Sequence, residues 1–169
     1  MEFLVQILDF VRDIWNNLLP YFIVVEYEDA IILRFGKYHR TYKAGIHWKI
    51  PFVDQVLEAR NTITTLNLRP QSLTTKDGQN IVIAAVIKYQ VIDAKKFLIE
   101  VEEAKDALGD IAQSKIKDLI INLDWEECKK LKDSEIKAKM GKEPESWGIK
   151  LILITITDLA IIRSIRLIQ

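Results

Sequence analysis

The chain has 169 residues, 49% of them hydrophobic and 28% charged, a balance that suits a folded domain with its own core and excludes a disordered polymer. Its 24 Lys and Arg are matched by 24 Asp and Glu, so no global charge draws it to nucleic acid, and a near-neutral protein can self-associate without repulsion. One cysteine, Cys128, excludes an internal disulfide framework.

Residues 3–19 carry a helical period: Leu4, Ile7, Leu8, Val11, Ile14, Trp15 and Leu18 recur at three- and four-residue steps, with Glu2, Gln6, Asp9 and Asp13 mostly opposite. Pro20 ends this helix. Its charges exclude a signal peptide, and the longest early apolar run, 18–25, falls short of the roughly 20 residues that span a bilayer. No transmembrane helix is expected. An amphipathic helix with an interfacial tryptophan is instead expected to lie on lipid through Leu4, Leu8, Val11, Trp15 and Leu18, with packing on a neighbouring copy's helix or on its own domain as the alternatives.

From Tyr21 the texture is that of strands. Residues 22–27 and 30–35 are β-branched and aromatic and read as two strands about an acidic turn at Glu28-Asp29. Gly36 and Gly45 bound a basic loop holding His39, and short strands follow at 46–50, 56–60 and 63–68. Asp77-Gly78 marks a tight hairpin. Beyond it Ile81, Ile83, Ala85, Ile87, Tyr89 and Val91 alternate as the buried face of a central strand.

The second half turns helical. Asp93 is expected to cap a short helix to Val101, and residues 102–123 to form a longer one with Ala104, Leu108, Ile111, Ala112, Ile116, Leu119, Ile120 and Leu123 inward. Asp124-Trp125-Glu126-Glu127 reads as a capping box, and 133–140 as another helix. Residues 149–157 alternate as a final strand, after which Asp158 is expected to cap a last helix with Ile162, Ile165 and Ile168 inward. The order of elements is α+β.

Several stretches carry a resemblance. Val24-Val25-Glu26-Tyr27-Glu28-Asp29-Ala30-Ile31-Ile32-Leu33-Arg34-Phe35-Gly36-Lys37 resembles the opening hairpin of the SPFH (stomatin/prohibitin/flotillin, band-seven) family. Ala44-Gly45-Ile46-His47-Trp48-Lys49-Ile50-Pro51-Phe52-Val53-Asp54 is similar to its "Pro-Gly-Leu-His…Ile-Pro-Phe" stretch. Leu73 to Gly78 and Trp147 to Lys150 are similar to later family segments, and 157–166 to the endings of compact bacterial and phage members. The resemblance implies an SPFH-type domain over 21–169, a curved antiparallel sheet with packed helices; the amphipathic helix over 1–20, read from its own periodicity, precedes it. It also implies a non-enzymatic, homo-oligomeric scaffold on the cytoplasmic face of a membrane, peripheral or monotopic, organising membrane or partner proteins. A soluble self-assembling shell or a regulator of a membrane protease is the alternative.

Nothing in the sequence calls for a catalytic residue, metal or cofactor. His39 and His47 are the only histidines, His39 fits a solvated position, and Cys128 sits at a core position of its helix. Glu126 and Glu127 suit a helix start. Trp48, Trp125 and Trp147 are expected in the core. Ile161 and Leu167 fall off the inward row of the last helix and, with Arg163 and Arg166, are expected to contact the next copy, the arginines facing Glu102 and Glu103.

Overall fold

The computed structural model describes residues 5–6 and 19–162. The expected N-terminal helix, with Leu4, Leu8, Val11, Trp15 and Leu18, lies outside the described residues, as do Arg163, Arg166 and Leu167. The chain divides into two compact units at Thr62/Ile63, inside the stretch read from sequence as a single domain.

In the first unit β1 (Tyr21–Val24) pairs antiparallel with β4 (Gly45–Trp48), and β2 (Glu28–Arg34) lies between β3 (Lys37–Tyr42) and β5 (Asp54–Arg60). The core is Val24, Ala30, Ile31, Ile32 and Ala59. Asp29 is buried with them and is satisfied by Lys43 Nζ at 2.6 Å and Asn61 Nδ2 at 3.2 Å, as a carboxylate removed from water requires.

Three expectations for this unit are corrected. The first two strands do not form a hairpin with each other: Glu28 and Asp29 belong to β2, the turn falls at 25–27, and β1 finds its partner in β4. The basic loop is strand β3, an edge strand whose first four residues are exposed; His39 is exposed there. Trp48 is not core but among the most exposed side chains, because a two-stranded ribbon covers only one of its faces.

In the second unit β8 (Asn80–Val91) is the central strand. It pairs with β6 (Thr64–Asn67) and β7 (Gln71–Thr74) on one side and with β9 (Ile149–Ile161) along the other. Ile81, Ile83, Ala85, Ile87, Tyr89 and Val91 are all buried, as the alternation predicts. Asp93 Oδ1 accepts the backbone N–H groups of Lys95 and Lys96, opening a π-helical turn at Lys96–Glu100. Helix α1 (Ala104–Ile120) buries Ala104, Leu108, Ala112, Ile116 and Ile120. Short α2 (Trp125–Cys128) opens with the expected capping box; α3 (Asp133–Met140) packs on β9 and α1, and α4 (Glu143–Ser146) leads back to β9.

The last strand departs from its sequence reading in two ways. It does not yield to a helix at Asp158: Asp158 pairs with Ala84, Leu159 with Ile83, Ala160 with Val82 and Ile161 with Ile81. A helix there would strip hydrogen-bond partners from the Ile81–Ala84 stretch of that edge of β8. Its alternation is also broken by register shifts opposite Ala84/Ala85 and Lys88/Tyr89. Each bulge moves the following side chains to the other face, so Ile149 and Ile154 are both buried although they sit on opposite faces of an unbroken strand. The carbonyl of Ile152, at the second bulge, accepts Lys137 Nζ at 3.0 Å.

Candidate functional site

The residues that invite chemistry are tied into structure. His47 Nε2 lies 2.7 Å from the Lys43 carbonyl, and its ring packs against Phe22 and Tyr42 with centroids 5.5 and 4.7 Å away. Cys128 is buried, and burial, with Asp77 and Glu127 nearby, pushes its thiol up, away from the nucleophilic thiolate. The Glu127 carboxylate accepts the Asp124 N–H as a helix cap, and Glu126 pairs with Lys129. Trp125 and Trp147 are half-buried. Among the described residues no group of three His, Cys, Asp or Glu is placed to hold a metal ion.

What stands out in the first unit is surface rather than cleft. On one face of the β1–β4 ribbon Tyr21 lies opposite Trp48 and Ile23 opposite Ile46, all four exposed. The other face turns Phe22 and Val24 inward, so the ribbon's alternation puts apolar residues on both sides.

The chain runs on from Trp48 into a turn that presents Phe52, and the β2–β3 turn presents Phe35. Phe35, Ile46, Trp48 and Phe52 are 81%, 72%, 75% and 78% exposed. Phe35 and Phe52 both hold left-handed backbone, with φ of 50° and 63°, a conformation that costs a non-glycine residue about 1–2 kcal/mol. They line one open depression together with Lys49.

The two turns are locked to each other. Arg34, just before Phe35, donates from Nε and Nη2 to the two carboxylate oxygens of Asp54 at 2.8 and 2.9 Å. Asp54 Oδ2 also accepts the Ile50 N–H at 2.8 Å, and the Phe35 N–H donates to the Val53 carbonyl at 3.2 Å. The Arg34 guanidinium, then the Ile50 N–H, hold the Asp54 carboxyl below its ordinary range despite burial. Two strained, apolar turns are thus pinned side by side by a charge pair.

Between Phe35 and Phe52 the sequence contains Lys37, Arg40, Lys43 and Lys49 and no Asp or Glu. An exposed apolar face with flanking cations can dehydrate against an amphipathic, negatively charged partner. Its residues were missed because strand alternation does not say which apolar face stays uncovered. The available signal was Tyr21/Ile23 and Ile46/Trp48 at period two on two short strands.

Of the expected interface residues only Ile161 is described; it ends β9, exposed, opposite Ile81. Glu102 and Glu103 are exposed ahead of α1, and Glu103 is also left-handed at φ 47°.

The model of the SPFH domain / Band 7 family matches residues 22–166. The chain belongs to that family. This SPFH chain is 27% identical over 140 residues to an uncharacterized protein of Methanocaldococcus jannaschii, covering 81% of the chain and 70% of that relative. It is 32% identical over 101 residues to protein HflK of Haemophilus influenzae, covering 59% of the chain and 24% of HflK. It is 25% identical over 141 residues to stomatin-4 of Caenorhabditis elegans, covering 80% of the chain and 50% of that protein. Other archaeal relatives are matched over 42% and 59% of their length, so the SPFH chain corresponds to only part of most of these proteins.

Proposed function

We propose that this SPFH protein is a non-enzymatic, homo-oligomeric scaffold that sits on the cytoplasmic surface of a membrane and organises membrane or partner proteins there. The observation that carries the reading is the first unit's exposed face, Tyr21, Ile23, Ile46 and Trp48, with the paired turns at Phe35 and Phe52. Family membership supports it. Each such side chain gains about 1.5–3 kcal/mol on full burial; an interfacial position captures part of that, and several copies in one assembly multiply weak contacts into avidity.

The proposal includes residues 1–20 as an amphipathic helix on the same interface, touching lipid through Leu4, Leu8, Val11, Trp15 and Leu18, with 21–169 as the SPFH region. The Pro20 carbonyl accepts the Lys49 N–H at 2.8 Å, which fixes Pro20 itself at the edge of the exposed face next to Tyr21. Lys37, Arg40 and Lys49, with Lys43 held by Asp29 and no acid between Phe35 and Phe52, favour the anionic cytoplasmic leaflet. Among the described residues no helix is long and apolar enough to cross a membrane, so the attachment proposed is peripheral or monotopic.

Flotation with vesicles tests the reading. The wild type is expected to float, and Trp48→Glu with Phe52→Glu to stay in the dense fraction while remaining folded. Wild-type protein that assembles without lipid and never floats would replace the scaffold by a soluble shell.

A further inference from the structure

The second unit carries an open groove of about 640 Å³ at the entry to α1. Its apolar lining comes from the π-helical turn and the residues after it: Phe97, Leu98, Ile99 and Val101. Its rim is acidic, with Glu102, Glu103 and Asp106 exposed beside a single base, Lys105. We infer that this groove receives the segment Ile161–Leu167 of a second copy, Arg163 and Arg166 meeting Glu102 and Glu103 over an apolar floor. The inference rests on the homo-oligomeric reading above and names the surface that makes the oligomer.

The complementarity is specific. Ile161-Ile162-Arg163-Ser164-Ile165-Arg166-Leu167 has four large apolar residues and two arginines and no acid. Arginine suits such a rim because its fork pairs with carboxylates in a fixed geometry. Ile161 and Ile162, its described residues, are exposed at the end of β9.

The contact must run between copies. The Ile162 N–H donates to the Asn80 carbonyl at 2.8 Å, which fixes the segment at the Asn80 end of β8. The groove lies at the other end. Asp106 stands close enough to Tyr89 to add to the effect of burial in raising its phenol. Past the far end of α1, the Leu123 carbonyl accepts the Lys76 N–H next to Asn80, so α1 points its first residues away from Asn80. Nine strand steps from Asn80 to Tyr89 measure ~30 Å. Arg166, four residues past Ile162, travels at most ~14 Å along an extended chain, and its side chain does not make up the difference. A groove at one end and its insert at the other is a head-to-tail contact, which yields a ring when the rotation closes and a filament when it does not.

The test uses the full chain, in which Cys128 is the only thiol and is buried. Glu102→Cys and Arg166→Cys chains are prepared separately, mixed and oxidised. A mixed disulfide dimer is expected from the mixture and far less from either chain alone. Charge reversal is the second arm: Glu102→Lys with Glu103→Lys is expected to lower the assembly mass at micromolar concentration, and adding Arg163→Glu with Arg166→Glu to restore it. An oligomeric wild type with neither a mixed disulfide nor charge rescue overturns the groove contact and leaves the oligomeric reading standing. A wild type that stays monomeric with and without vesicles overturns both.

Discussion

Arg34 and Asp54 close the β2–β5 pairing with a two-pronged ion pair at 2.8 and 2.9 Å, and each stands within two residues of an exposed phenylalanine in left-handed backbone. The pair holds both turns of the proposed lipid-facing surface, which makes that surface sensitive to acid. Asp54 is depressed in the folded state, first by Arg34 and then by the Ile50 N–H. Its contribution is therefore complete above the unfolded carboxylate pKa of about 3.9 and is lost as pH falls through the lower folded value. The wild type is expected to lose stability below about pH 4 more steeply than Asp54→Asn, read as denaturation midpoints from pH 7 to 3. Identical acid limbs would mean that the pair does not hold the turns.

Phe35 and Phe52 keep an unfavourable backbone conformation and an exposed ring at once, a cost of the kind retained at working surfaces. Asparagine tolerates left-handed backbone and is polar. Phe35→Asn with Phe52→Asn is expected to leave thermal stability unchanged or higher, by up to about 1–2 kcal/mol per site, and to weaken vesicle binding. A large loss of stability would instead make the two rings part of the core.

If the proposed surface meets lipid, the cations between those turns set its headgroup preference. Lys37→Glu with Lys49→Glu is expected to weaken binding to anionic vesicles, with about 1 kcal/mol, or roughly fivefold, lost for each lysine removed from the surface. Binding to zwitterionic vesicles should change little. Equal losses on both lipids would show that the two lysines support the fold rather than meet headgroups.

Ile87 is completely buried at the centre of β8, between Leu66 of β6 and Ile154 of β9. Ile87→Ala is expected to cost about 2–5 kcal/mol of unfolding free energy by denaturant titration. A loss under about 1 kcal/mol would place the strand at an edge.

The sequence exposed those parts of the fold in which one element meets one dominant partner. The inward row of β8, the stripe of α1 from Ala104 to Ile120, the Asp93 cap and the Asp124 capping box all follow local periodicity or local hydrogen bonding. Three features depended on distant neighbours. Strand β3, Lys37-Tyr38-His39-Arg40-Thr41-Tyr42, buries little on either face because it is an edge, so it reads as loop. The bulges in β9 reset its alternation where β8 dictates, and β8's need for a partner carries the strand through Asp158. Trp48 is of a type usually found in a core, and it turns outward because nothing among the described residues covers that face of the β1–β4 ribbon. The proposed surface was invisible for that same reason: it consists of residues whose types predict burial and which stay exposed among the described residues.

Whether the exposed face of the first unit meets lipid is read by a polarity-sensitive dye on Trp48→Cys, because Cys128 is buried and shielded from labelling. On vesicles containing anionic lipid the emission is expected to shift to the blue and to be quenched by a lipid-borne quencher. Protein that floats with the vesicles while the dye keeps its emission in buffer would show that the membrane is held by another surface and that this face does not meet lipid.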